Sequence, residues 1–256
     1  MNPIAFTLGP LTVRWYGLLI SSAMLIGYFG ANHYVKKQGL DQDNFLSVIL
    51  WTIIIGVLGA RAYYVIFNLS YYSAHPSEII AIWHGGLAIH GGILGGLIAG
   101  YLSCRHYKLD FWQTADIISP WVALAQAIGR WGNFFNQEAY GYAVDPNVVP
   151  WAMYIDGAYR HPTFLYESIW DLCTFMLLMY LNRKSSLKQG ESFLAYLISY
   201  SAIRFFIETL RTDSLMLGSL RMAQVMSVVL IIIAVSLIIY RRHKNLAKER
   251  TWLNKE

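Results

Sequence analysis

Five short stretches hold most of the polar chemistry of this 256-residue chain. GRWGNFFNQEAYG, residues 129–141, places Arg130, Asn133, Asn136, Glu138 and Gly141 at the end of a long apolar run. RFFIETLR, residues 204–211, places Arg204, Glu208 and Arg211 at the end of another. RWYG (14–17) carries Tyr16, HGGLAIHGG (84–92) carries His84 and His90, and HPTFLYES (161–168) opens a further run. Arginine stays charged in a poorly hydrated site and grips phosphate with two parallel bonds. Arg130 and Arg204 are therefore candidate clamps on a phospholipid headgroup. Tyr16 and the asparagines can hydrogen-bond glycerol hydroxyls or ester carbonyls. Arg204 and Glu208 stand four residues apart and share a helix face, with Arg211 near that face. Such a pair either aims the guanidinium at a ligand or only makes its burial tolerable; spacing alone does not separate the two.

His84 and His90 are six residues apart, so on one helix they fall on different faces, which argues against a paired metal site. No other His, Asp or Glu spacing has the form of a metal set, and no cofactor is expected. His90 sits among Gly91, Gly92, Gly95 and Gly96. It is either a base near neutral pH or a hydrogen-bonded structural residue; His84 has the place of an interfacial side chain. Cys104 and Cys173 give neither a disulfide framework nor a metal spacing. They read as small core residues.

These residues need elements to position them, and composition says which. The chain is 56% hydrophobic and 14% charged, against about 25% charged in soluble domains. Its mean hydropathy of +0.39 agrees with an integral membrane protein. Seven stretches have the length and apolar content of a spanning helix: 16–35, 46–68, 87–103, 113–130, 162–181, 191–210 and 222–240. The first has only Arg14 before it and no small-residue cleavage site after it, so a retained span is expected. Thirteen Lys and Arg residues lie in 36–45, 104–112, 182–190 and the tail after 240, against four on the opposite side. The positive-inside rule then puts the N-terminus outside and the C-terminus in the cytoplasm. This clustered distribution, not the net charge of +5, decides against nucleic acid as a partner.

All five polar stretches fall at outer ends of spans in that orientation. Arg204 lies six residues before Leu210, about 9 Å below the outer end at the helical rise, and Arg61 is similarly sunk. Charges at such depth are costly and mark functional sites by default. The longest loop, about 131–161, falls outside. It is expected either as a small cap with strand character or as an interfacial loop anchored by Trp151, Tyr154 and Tyr159. Segment 69–86 is expected in the interface plane. One integral membrane domain fills the chain, ending in a basic tail over about 241–256.

The stretches HGGLAIHGG, GRWGNFFNQEAYG, HPTFLYES and RFFIETLR resemble the bacterial prolipoprotein diacylglyceryl transferase family. The pattern GRxGNFxNxExxG is that family's signature, and together with RWYG the resemblance covers essentially the whole chain. It implies an all-α polytopic membrane fold. It also implies a reaction: transfer of the diacylglyceryl group of phosphatidylglycerol to the lipobox cysteine thiol of a preprolipoprotein signal peptide. A thioether forms and glycerol phosphate leaves, at the outer leaflet of the cytoplasmic membrane. In that reading Arg130 and Arg204 neutralise the departing phosphate and His90 is the preferred base, though arginine electrostatics alone is the alternative. Tyr16, Asn133, Asn136, Glu138 and Gly141 carry over as motif residues lining the site, and Glu208 and Arg211 join them. Glu138 either orients Arg130 or binds the headgroup. Two other classes compete. A phospholipid hydrolase or headgroup transferase calls for a nucleophilic triad or metal ligands, and a small-molecule transporter calls for internal repeats and a midplane site.

Overall fold

The computed structural model describes residues 2–9, 11–183 and 186–250. Lys184 and Lys255, two of the thirteen cations counted above, lie outside the described residues, as does the end of the basic tail. The described chain is mostly helical. α1 (Trp15–Lys37), α2 (Gln42–Ile66), α3 (Leu69–Ala74), α4 (Ile89–His106), α5 (Phe111–Asn136), α6 (Thr163–Leu181), α7 (Glu191–Glu208) and α8 (Met222–His243) follow in order. Each of the seven apolar stretches is covered by a helix, and α3 is a short addition in segment 69–86, followed by 3₁₀ turns at Pro76–Ile80 and Ile82–His84. Among the described residues three helices, α2, α6 and α8, are long and apolar enough to cross a membrane by length and composition.

Three two-stranded antiparallel hairpins interrupt the helices: β1 (Ile4–Leu8) with β2 (Leu11–Arg14), β3 (Met153–Ile155) with β4 (Ala158–Arg160), and β5 (Met216–Leu217) with β6 (Leu220–Arg221). The first and third were not expected from hydrophobic periodicity, because strands of two to five residues leave too short a pattern to read. The second gives the 131–161 region the strand character that was one of its two expected forms. That region also begins later than expected, since α5 runs on through Asn136.

The chain divides into two compact units, Asn32–Thr114 and the remainder (Met1–Ala31 with Ala115–Glu256). In the Asn32–Thr114 unit, α2 packs on α4 along facing glycines. A Cβ on Gly59 would stand 2.6 Å from the Gly91 carbonyl oxygen, and one on Gly95 would stand 2.8 Å from the Ile55 carbonyl oxygen. Backbones this close admit no side chain, which is how small residues serve helix contacts in membranes.

In the other unit α6 packs on α7 and α7 on α8, with Ala123 of α5, Leu178 of α6 and Tyr196 of α7 in one buried cluster. Polar contacts fix the start of α7. Asp116, from α5, accepts the Gly190 N–H at 2.8 Å on Oδ2 and the Phe193 N–H at 2.9 Å on Oδ1. It thereby caps a helix from a distance, satisfying two of the amides that a helix start leaves open. Arg250 of the tail closes the arrangement, with Nη2 2.9 Å from Asp116 Oδ2. Arg242 adds a two-pronged bond to Glu191 at 2.6 and 2.7 Å. The register of α7, and so the place of Arg204, rests on this anchorage. Asp116→Ala is expected to lower stability by about 3–5 kcal/mol, the cost of leaving one member of a buried pair uncompensated. Thermal unfolding in detergent checks this, and adding Arg250→Leu should recover only the share due to the unpaired cation, because the Gly190 and Phe193 amides stay uncapped.

Candidate active site

Two arginines and two glutamates from three helices meet in one cluster. α5 supplies Arg130, α6 supplies Glu167, and α7 supplies Arg204 and Glu208. Glu167 Oε1 lies 3.2 Å from Arg130 Nη2 and 3.4 Å from Arg204 Nη1. Arg204 Nη2 lies 2.6 Å from Glu208 Oε2, the i,i+4 pair that the sequence spacing allows. Burial is asymmetric. The guanidinium side chains keep 18% and 20% exposure, whereas the two glutamates keep 2% or less. The carboxylates therefore form the floor, and the cations are the members still open to a ligand.

One turn along α6 from Glu167, Asp171 is buried on the same face. Glu167 Oε2 and Asp171 Oδ2 have no hydrogen-bond partner. Buried oxygens of this kind are scarce in folded proteins, and each asks for an explanation such as function or an unseen water. Sequence reading quoted HPTFLYES without assigning its glutamate. The signal was present: Glu167 and Asp171 are acids inside an otherwise apolar run, and an ionisable group in such a run needs a partner.

The signature stretch packs against the start of α1. The Tyr16 ring lies where a Cβ on Gly132 would overlap it, so the glycine makes room for the tyrosine. Trp15 stacks on Phe135 at 5.0 Å. After Asn136 the chain turns sharply, with Gln137 at φ +53° and Ala139 at φ +56°. The Glu138 N–H closes that turn on the Asn133 carbonyl at 3.0 Å, and the Glu138 side chain accepts from Asn136 Nδ2 at 3.3 Å. Of the two roles left open for Glu138, orienting Arg130 finds no contact here, because the carboxylate at Arg130 comes from Glu167. Gly141 then passes between two strands of backbone. Its N–H donates to the His161 carbonyl at 3.0 Å, and a Cβ would stand 2.7 Å from His161 Cβ and 3.0 Å from the Leu210 carbonyl oxygen.

Arg211 does not join the cluster through Glu208. It bridges residue Gly141 through backbone pairing and turns its guanidinium onto Asp213, at 2.9 and 2.6 Å. Burial acts to raise the Asp213 carboxyl, but the Arg211 bonds outweigh it and hold the group below the usual carboxylate range. Arg221, at the end of β6, donates to the Glu208 carbonyl and to the Tyr142 hydroxyl at 3.0 Å. It ties the loop after the signature to the end of α7.

His90 belongs to the Asn32–Thr114 unit, at the second position of α4, with Tyr63 as its aromatic neighbour at 6.0 Å. Among the described residues no cluster of three or more His, Cys, Asp or Glu could hold a metal ion.

A family model described as prolipoprotein diacylglyceryl transferase matches residues 3–240. Proteins named phosphatidylglycerol–prolipoprotein diacylglyceryl transferase from Staphylococcus aureus strains Newman, USA300 and NCTC 8325 are each 52% identical to this chain over 254 residues. The match covers 95% of this chain and 90% of each relative.

Glu167 of the cluster and Glu138 of the turn after α5 should behave differently on removal. Glu167→Ala strips a shared counter-charge from a buried site and is expected to cost about 3–5 kcal/mol of stability. Glu138→Ala removes an exposed side chain and should stay within about 0.5 kcal/mol. Thermal unfolding of the two purified variants checks the contrast; equal losses would mean that Glu167 does not hold the pair.

Proposed function

The chain belongs to the prolipoprotein diacylglyceryl transferase family, and from that premise we infer that it transfers the diacylglyceryl group of phosphatidylglycerol to prolipoprotein. The acceptor in this reading is the lipobox cysteine thiol of the signal peptide. The thiolate sulfur attacks the glycerol carbon of the diacylglyceryl group. The bond from that carbon to the phosphate oxygen breaks, glycerol phosphate leaves with the bonding pair, and a thioether remains. The substrate supplies the nucleophile, so the protein needs none of its own.

The observation that carries the mechanism is the pair of guanidiniums on separate helices sharing one carboxylate oxygen. Charge builds up on the phosphate as it departs, and fixed cations at that place lower the barrier. Arg130 and Arg204 are assigned to this work. Glu167 and Glu208 hold them at rest, and each guanidinium has five N–H donors in a planar fork, of which the carboxylates engage only part. Tyr16, Asn133 and Asn136 are assigned to headgroup and ester contacts, with Glu138, Gly141 and Arg211 shaping the rim through the backbone stitching described above. His90 is proposed as the base that takes the thiol proton.

The setting is proposed as the outer leaflet of the bacterial cytoplasmic membrane. Seven spans, α1, α2 and α4 to α8, cross with the N-terminus outside and the basic tail inside, as one integral domain. Support comes from the coincidence of helices with all seven apolar stretches and from the thirteen-to-four asymmetry of cations. The 131–161 region then forms an extracytoplasmic cap. Both substrates arrive within the bilayer, and a lateral gap between helices is their proposed route.

Purified protein with phosphatidylglycerol and a lipobox peptide should yield the thioether; diacylglycerol or phosphatidic acid formed without peptide would show a hydrolase instead. Arg130→Lys and Arg204→Lys keep the charge but lose the planar fork, and each should lower the transfer rate about 10²–10³-fold, the worth of one transition-state donor. His90→Ala should lower the rate about 10²-fold at neutral pH. The deficit should shrink as pH rises past about 8.5, where a free thiol ionises unaided. An unchanged rate at neutral pH would remove His90 as base.

A further inference from the structure

The mechanism above gives work to Arg130, Arg204, Glu167 and Glu208, and none to the acid beside them. Asp171 is 2% exposed, as deeply buried as Glu167 and Glu208 at 1%. The crossings of α6 and α7 fix its level. Glu167 meets Arg204 at 3.4 Å, and two turns along α6 the Thr174 hydroxyl meets that of Ser199 at 2.6 Å. The two helices are therefore antiparallel, and Asp171 lies between these crossings, near the level of Ser201. Arg130 of α5, Glu167 of its own helix and Tyr196 of α7 act on Asp171 electrostatically, while Tyr200 of α7 acts on Arg130.

Two observations bear on the state of this acid. The first is a charge count. Two guanidiniums against three carboxylates leave one negative charge in excess. Arg211 is spent on Asp213. Arg221 sits on the Glu208 backbone carbonyl, seven residues along α7 from the level of Asp171, or about 10 Å at the helical rise. A buried carboxylate without compensation is costly, and such a group neutralises instead. The second observation is a pair of orphan atoms. Glu167 Oε2 and Asp171 Oδ2 are buried and have no hydrogen-bond partner. Two ionised carboxylates one turn apart on one face repel, and neither can donate. One proton held by the pair removes the excess charge and supplies the missing donor. Glu167 is the carboxyl paired with both guanidiniums, so the proton falls to Asp171.

We propose that Asp171 is a positioning residue for the transfer reaction, a neutral acid whose proton leaves Glu167 as the single inner anion shared by Arg130 and Arg204. An ionised Asp171, one turn deeper, would compete with Glu167 for Arg130 and draw it from the more exposed side on which an anion arrives. With the proton in place, Arg130 leans on the same carboxylate as Arg204. Asp171 touches no substrate in this account and acts through Glu167. The role rests on the assignment of the two arginines to the departing phosphate, but the protonation can be read without any substrate.

Infrared spectra of the full chain in a detergent without ester groups test the protonation. At neutral pH the wild-type spectrum minus that of Asp171→Asn should hold the C=O band of a protonated carboxylic acid. Glu167→Gln should abolish that band without touching Asp171, because two guanidiniums and the one remaining carboxylate, Glu208, then call for a second anion. A merely structural acid would keep its state in that variant. Transfer assays with phosphatidylglycerol and a lipobox peptide test the role. Asp171→Ala should lower kcat about tenfold, the worth of one hydrogen bond to a charged group, with KM little changed. Asp171→Asn, which donates but cannot ionise, should restore most of that rate. The ratio of the Asn variant's rate to that of wild type should rise over the pH range in which the infrared band is lost, since the thiol and His90 titrate alike in both proteins. A carboxylate band in the neutral-pH difference spectrum, an Asn variant as slow as the Ala variant, or a ratio that stays flat while the band disappears would overturn the proposal. Were wild type itself to form no thioether, the reading of the reaction would fail, and the infrared result would still decide the state of Asp171.

Discussion

Two guanidiniums lean on one oxygen of Glu167, and the polar architecture of the larger unit follows from what that contact demands. A cation among apolar helices loses its hydration, and only a nearby anion with good geometry offsets the loss. Glu167 does this for Arg130 at 3.2 Å and for Arg204 at 3.4 Å, and Glu208 adds a second ion pair to Arg204 at 2.6 Å. The order of burial matters as much as the pairing. With the carboxylates innermost, the arginine side chains are the more exposed members of the cluster, and an anion approaching from their side meets cations first. The reverse order would place the carboxylates at the opening and repel a phosphate.

That contact needs α5, α6 and α7 in a fixed mutual register, and backbone groups supply much of it. Asp116 holds the first turn of α7 from α5. At the other end, the Tyr142 N–H donates to the Leu210 carbonyl at 2.9 Å and Gly141 joins His161. Arg221 closes the Glu208 carbonyl and the Tyr142 hydroxyl. Glycine at 141 is thus a packing requirement. Beyond Arg130, the signature contributes mainly through where its chain can pass.

The sequence made some of this legible and hid the rest for physical reasons. Hydrophobic runs located the helices because a helix facing apolar surroundings repeats its character every turn. The Arg204–Glu208 pair was legible because its spacing is local. Glu167 and Asp116 were not, since their partners lie 37 residues away at Arg204 and 134 residues away at Arg250. A single chain read without coordinates gives no measure of which distant charge meets which. Arg211 shows the converse error. Its spacing from Glu208 suggested a shared face, but α7 ends at Glu208. Helical spacing past that point no longer predicts direction, and the guanidinium follows the nearer Asp213.

Arg61 and Arg204 are one residue type at similar expected depth, and their surroundings give them different chemistry. Arg61 donates to four carbonyls that bear only partial charge, from a loop folded around it. Moving an anion onto such an arginine would strip hydrogen bonds from the backbone and leave those carbonyls unsatisfied, at about 1–3 kcal/mol each. Arg130 and Arg204 are paired instead with the Glu167 and Glu208 carboxylates. An anion there adds bonds without breaking a backbone network. Position along an apolar run therefore does not distinguish these arginines. What each guanidinium already holds does: a cation committed to backbone shapes a loop, and a cation held by a shared carboxylate remains able to act.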